Sequence, residues 1–190
     1  MGRTKQKNKK EGEFFSDFHS LHGCEGGSLF WHSDARGDFS KFIDDRFFQR
    51  HPQNAVKEVF FNRSKRGVIR GFHLQWPPAG HAKLVACLSG SFCDVLLDLR
   101  EDSPTYKDFA MQVLSPGKYV YMPNGVAHAF QALDDMSVML YATTSDHNPE
   151  LDGGVNPLTC GVPWPIVDFT ISDRDRALPS LKEIKERING

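Results

Sequence analysis

Gly67-Val68-Ile69-Arg70-Gly71-Phe72-His73-Leu74-Gln75, continued by Lys83-Leu84-Val85, is the stretch on which the fold turns. β-branched residues open it, a glycine interrupts it, and three polar side chains stand close together, which reads as a β-strand with a purpose beyond packing. Arg70 and His73 are three apart, so an ideal strand aims them at opposite faces. Gly71 lies between them, placed to bulge the strand and turn both to one side. Pro77-Pro78-Ala79-Gly80 returns the chain, and Lys83 follows. A cation for phosphate, a histidine for proton transfer and a lysine for an oxyanion make an active site of this stretch. On the residues alone, an edge strand with surface basic residues and a core histidine reads equally well.

Outward from that stretch the chain repeats one pattern. Leu29 to Ile43 holds Asp34-Ala35-Arg36-Gly37, a turn between two strands, with Phe39 and Phe42 expected near the core. Val56 to Phe61 reads as a strand, and Arg63 to Gly67 as a polar turn. Lys83 to Leu88 and Phe92 to Leu99 read as buried strands around Ser89-Gly90, and Asp94 and Asp98 break the second apolar run. Phe109 to Leu114, Lys118 to Met122, Ala129 to Leu133 and Ser137 to Thr143 continue the series of short strands. Such spacing, with no long helical pattern before the end, predicts an all-β antiparallel sandwich or barrel. A short C-terminal helix is predicted over Leu181 to Ile188, after the Pro179-Ser180 start signal.

Composition narrows the function classes. A chain of 190 residues is long enough for one domain with a sizeable core. The net charge of −1 argues against a nucleic-acid partner. No apolar run is long enough for a membrane span. Met1 to Lys10 carries five basic residues without apolar periodicity, so residues 1–13 are expected to be a disordered basic tail and 14–190 a single domain. That charged start lacks the apolar segment of a signal peptide. The four cysteines are scattered with no CxxC pair. Both features set the expectation of a cytoplasmic protein with reduced thiols.

Pro123-Asn124-Gly125-Val126-Ala127-His128 has the form PxGxxH, which resembles the second half of the cupin signature. A metal-binding cupin also needs an HxH pair in the first half, and only His73 is present there. No metal site is therefore expected, and His128 reads as a polar group in a pocket.

Nine motifs then occur in one order. They are Asp34-Ala35-Arg36-Gly37-x-Phe39, Asn62-Arg63-Ser64, the Gly67–Gln75 stretch, Lys83-Leu84-Val85, Asp94-Val95-x-x-Asp98-Leu99-Arg100, Ser103-Pro104-Thr105, PxGxxH, Trp164-Pro165 and Ser172-Asp173-Arg174-Asp175. Over roughly residues 28 to 182 this order resembles the dTDP-4-dehydrorhamnose 3,5-epimerase family of metal-free cupins. The resemblance implies a cupin jelly-roll (a double-stranded β-helix), no cofactor, a homodimer that exchanges strand contacts, and a nucleotide-diphospho-sugar substrate. The sugar nucleotide is dTDP-linked in the family, with CDP and GDP as alternatives. It implies His73 as the base that removes a proton next to a 4-ketone, Asp175 as its partner, and Lys83 as the cation facing the enolate oxygen. It implies Arg36 and Arg70 on the diphosphate, and Phe39, Gln75, Asp94 and His128 in the substrate pocket.

The chain departs from the family at four places. The family's acid stretch, Tyr-x-x-Thr-x-Tyr-Tyr-x-Pro-Glu, stands here as Tyr141 to Glu150, with Tyr141 kept and His147 at the acid position. A Trp-Asn-Asp-Pro segment is shortened to Val155-Asn156-Pro157, Lys41 replaces a glutamate, and Phe60 replaces a glutamine. His147 is expected to replace the tyrosine as proton donor, or the donor is absent and the reaction narrower. Epimerisation at C3, at C5 or at both stays open, as do a 3,4-ketoisomerase and a non-catalytic sugar-nucleotide-binding protein.

Overall fold

The computed structural model describes residues 18–44, 47, 50, 51 and 55–184. The basic tail expected at residues 1–13 lies outside them. Eleven of the thirteen strands among the described residues build two facing sheets, and the other two form a separate hairpin. The first sheet contains β1 (Glu25–Ser28), β4 (Glu58–Ser64), β6 (Lys83–Ser89), β9 (Lys118–Met122) and β11 (Ser137–Thr143). Its order is β1-β9-β6-β11-β4. The second contains β5 (Val68–Gln75), β7 (Phe92–Asp98), β8 (Phe109–Leu114), β10 (Val126–Ala132) and β12 (Asp152–Gly154). Its order is β12-β5-β10-β7-β8, and β13 (Thr170–Ile171) pairs with β5 in parallel. All other pairings are antiparallel, so this is the predicted cupin-type sandwich.

Two apolar layers explain why β7 and β10 are buried along their whole length. Phe92, Leu96, Val126 and Phe130 face inward, with Val85, Val120 and Met139 of the first sheet, into the space between the walls. Cys93, Val95, Leu97, Ala127 and Ala129 face outward, and Trp164, Val155 and Ile184 of the C-terminal segment cover them. A strand covered on both faces reads as a continuous apolar run, as β7 does.

The bulge predicted in β5 is present. His128 of β10 pairs with His73, and Phe130 pairs with Arg70, so three residues of β5 span two of β10. This turns Arg70 and His73 to the same face. Gly71 takes φ +118°, and a Cβ there would stand 2.5 Å from the Cα of Ala129. Only glycine lets β10 come this close.

Three expectations need correction. Toward the C-terminus the described residues form the helix α1 (Asp173–Arg176), a single turn capped by Ser172. Leu181 to Ile184 is a turn, and residues 185–188 lie outside the described set. Ser180 does act as a start signal, since its amide and hydroxyl both donate to the Glu183 carboxylate. Phe39 is not near the core. It lies on β3 (Gly37–Lys41), which pairs only with β2 (Phe30–Asp34), and it is 56% exposed. Among the described residues no third strand pairs with this hairpin, whereas Phe42 just beyond it packs on Phe47 and Leu84 as expected. Last, β4 runs on to Ser64, which shortens the predicted polar turn.

Candidate active site

One pocket of about 260 Å³ opens between the two walls. β5 and β10 contribute Arg70, His73 and His128 from one wall, and β4, β6 and β11 contribute Phe60, Lys83 and Tyr141 from the other. Gln75 and His147 also line it.

His73 is half-buried, and its Nε2 lies 2.6 Å from Asp175 Oδ1. Asp175 comes from α1, where the Ser172 hydroxyl accepts from its amide at 3.0 Å. The other carboxylate oxygen accepts from the Gly71 amide at 3.3 Å. Burial pushes the Asp175 carboxyl up, but the hydrogen bond and charge of His73, the Gly71 amide and Arg174 together hold it below the usual carboxylate range. An ionised Asp175 accepts the Nε2 proton, which leaves Nδ1 of His73 with a free lone pair.

Lys83 reaches across from β6, and its Nζ donates to the His73 carbonyl at 3.1 Å. Burial lowers its amine to about 8, with Asp152 opposing the shift. Behind it lies a second carboxylate–histidine pair. His128 Nε2 and Asp94 Oδ2 are 2.8 Å apart with both side chains buried, and Asp94 Oδ1 has no described partner. Tyr141 accepts from Asn62 Nδ2 at 2.8 Å and donates to the Met139 sulfur at 2.9 Å. Burial and the Asp94 charge raise its hydroxyl far above the ordinary tyrosine value, against the pull of Asn62 and Arg70. Phe60 lies flat on its ring, with centroids 4.7 Å apart and planes 8° apart.

The structure thus gathers Arg70, His73, Gln75, Lys83, His128, Tyr141 and His147 at one pocket, with Asp94 and Asp175 directly behind its histidines. It does not bring Arg36 or Phe39 there. Arg36 sits in the turn of the β2–β3 hairpin, 89% exposed and paired with Asp34 at 2.5 Å. Gln75 lines the pocket, but its amide is engaged by the protein, with Nε2 donating to the Ala79 and Asp146 carbonyls and Oε1 accepting from the Asn148 amide.

Sequence reading missed Glu58, Asn62, His81, Asp152 and Arg174 as pocket residues. Arg174 carried a signal, since it stands beside Asp175 in the Ser172–Asp175 motif, and it now pairs with Asp152 at 2.6 Å on the rim. His81 carried none. Among the described residues no group of three or more His, Cys, Asp or Glu side chains converges as metal ligands would.

A cupin sandwich whose inner pocket holds a His–Asp pair, a buried lysine and a tyrosine on the opposite wall defines a class, the cupin-type sugar epimerases, which are isomerases. The family model for dTDP-4-dehydrorhamnose 3,5-epimerase matches residues 20–183, and the chain belongs to that family. It is 35% identical over 163 residues to a dTDP-4-dehydrorhamnose 3,5-epimerase of Mycobacterium tuberculosis, covering 81% of each chain. It is 34% identical over 169 residues to a dTDP-4-dehydro-6-deoxyglucose 3-epimerase of a Streptomyces species, covering 85% of this chain and 86% of the relative. Among solved structures, NovW of Streptomyces spheroides, a 4-keto-6-deoxy sugar epimerase, superposes with a TM-score of 0.83 at 30% identity, covering 88% of this chain and 87% of that one. ChmJ of Streptomyces bikiniensis, a 3′-monoepimerase in complex with dTDP-quinovose, gives 0.80 at 31% identity, covering 90% and 89%.

Proposed function

We propose that this chain epimerises a dTDP-linked 4-keto-6-deoxyhexose by moving a proton at a carbon next to the ketone. The observation that carries the proposal is the opposition of the walls. His73, oriented by Asp175, stands on β5, and Lys83 and Tyr141 face it from β6 and β11. Inversion needs a base on one side of the sugar and a donor on the other, and this pocket has both.

His73 Nδ1 removes the proton, and the imidazolium that forms is stabilised by the Asp175 carboxylate. The electron pair moves to the ketone oxygen, where the Lys83 ammonium meets the developing charge. The proton returns from the opposite face. Position gives this step to Tyr141, whose raised pKa keeps it protonated and whose proton rests on a weak sulfur acceptor. The family pattern gives it to His147, which lines the same pocket from the loop after β11. We assign it to Tyr141. Tyr141→Phe is expected to keep proton removal but lose about 10²- to 10⁴-fold in product formation, while His147→Ala keeps most turnover.

Arg70 suits the diphosphate, since its Nε is tied to Ser64 Oγ at 3.2 Å and the rest of its fork borders the pocket. The pocket is small for a sugar nucleotide, because sites for larger ligands run to roughly 300–1,000 Å³. We infer that the β2–β3 hairpin of a second copy completes it, bringing Arg36 and Phe39 to the ligand in a homodimer. The exposed aromatics Phe30, Trp31 and Phe39 on a hairpin that touches little of its own chain support this. Among the described residues no helix is long and apolar enough to cross a membrane, and four free cysteines suit a reducing cytoplasm.

The test is turnover of dTDP-, CDP- and GDP-4-keto-6-deoxyglucose, with the product's ring stereochemistry read by NMR. Inversion at C3, C5 or both of the dTDP form is expected. A keto group moved to C3, or no change with any of the three, would overturn the proposal.

A further inference from the structure

We propose that His81 is a second, uncharged hydrogen-bond donor to the substrate oxygen that Lys83 receives. This rests on the reading of the pocket given above and adds to it a residue with no role in that reading.

The argument begins at Gln75. Its Oε1 faces the Asn148 amide, a donor, and its Nε2 faces the carbonyls of Ala79 at 3.1 Å and Asp146 at 3.2 Å. The orientation of the amide group is therefore fixed from both ends. The same Nε2 lies 2.8 Å from Nδ1 of His81. An amide nitrogen only donates, and this is the shortest of its contacts, so one of its two protons goes to Nδ1 while the Ala79 and Asp146 carbonyls share the other. The Ser145 hydroxyl also stands 3.1 Å from that nitrogen, and it donates to the Ala79 carbonyl at 3.3 Å. With Nδ1 an acceptor, the ring proton of neutral His81 resides on Nε2.

That N–H is the loose end. His81 lines the pocket two residues before Lys83, yet its Nε2 is sealed from water and has no hydrogen-bond partner among the described residues. A buried donor left without an acceptor is rare and costly unless a ligand completes it. Burial, Lys83 and His147 together lower the imidazole to about 4, so the ring stays neutral across the physiological range. Neutrality matters here. The Lys83 charge would repel an imidazolium, whereas a neutral N–H in the same pocket gives the enolate oxygen a second donor without a second buried charge. Gln75 is then a positioning residue, because its amide selects the tautomer.

The experiment compares wild type, His81→Phe and His81→Gln for kcat and KM on dTDP-4-keto-6-deoxyglucose, with thermal melts as the folding control. Loss of an oxyanion donor is expected to lower kcat by about 10- to 100-fold in His81→Phe with KM nearly unchanged. His81→Gln, which restores an N–H, should recover most of the rate. A His81→Phe kcat close to wild type would overturn the inference. So would equal losses in both variants, which is what a purely structural role predicts. Should His81→Phe fail to fold, ¹⁵N NMR of histidine-labelled wild type decides. Adding dTDP-6-deoxyglucose should move the His81 Nε2–H resonance downfield, and an unmoved resonance would overturn the inference. A wild type without turnover on any 4-keto sugar nucleotide would overturn the epimerase reading, while the NMR arm still judges His81 by itself.

Discussion

Lys83 carries the clearest pH signature of any single residue. In the proposed reaction its ammonium must be charged to meet the enolate, and burial lowers its pKa to about 8. Turnover is therefore expected to fall as pH rises through 8. Lys83→Arg keeps the charge well beyond that range, so its alkaline limb should vanish from the kcat profile even though the rate at neutral pH drops. Lys83→Met should lose about 10²- to 10³-fold, the usual effect of removing one oxyanion donor. His81 acts on stability instead. Its folded pKa of about 4 lies below its ordinary value, so between the two the unfolded chain takes up a proton that the native state refuses. Stability falls with pH over that window and flattens beneath it. Urea midpoints of wild type and His81→Gln from pH 7 to 4.5 should show the larger loss in wild type. Much of this scale was legible in the chain. His73, Lys83, Asp94 and His128 sit in local motifs whose spacing announces them. The protein partners of the Gln75 amide were not legible, because Ser145, Asp146 and Asn148, which engage it, lie some seventy positions away.

Among the elements, β5 and the single turn α1 build the His73–Asp175 pair together. Gly71 permits the bulge that turns Arg70 and His73 to one face, and its amide also holds Asp175. Gly71→Ala would place a Cβ against the backbone of β10 at a positive φ. A loss of about 2–5 kcal/mol is expected from strain and overpacking combined, visible as a large drop in melting temperature. Ser172→Ala is gentler. Losing the cap should cost about 0.5–2 kcal/mol, and because the lost bond goes to the Asp175 amide, kcat should fall more than KM changes. The bulge was readable in the sequence, since a glycine between two polar residues at odd spacing has few other uses. The helix at Asp173 was not, because four residues carry no periodicity, and the stronger start signal at Ser180 drew attention instead.

For the molecule as a whole, strand spacing gave away the antiparallel sandwich but not its neighbours. The order β1-β9-β6-β11-β4 joins strands from distant parts of the chain, and only long-range packing selects it. The same limit explains Arg36 and Phe39, whose motif points to a substrate that their own chain does not bring near them. A homodimer accounts for both facts. Sedimentation velocity at micromolar concentration should give a dimer, and Arg36→Ala should raise KM by at least tenfold with little change in kcat. A monomer whose KM is unmoved by Arg36→Ala would leave the hairpin without this role. The central claim is that His73 removes a proton next to the ketone. It is met most directly by proton NMR of dTDP-4-keto-6-deoxyglucose with the enzyme in heavy water. Loss of the C3 signal, the C5 signal or both is expected with wild type, and no loss beyond the uncatalysed rate with His73→Ala. Undiminished exchange in His73→Ala, or none in wild type, would contradict the account.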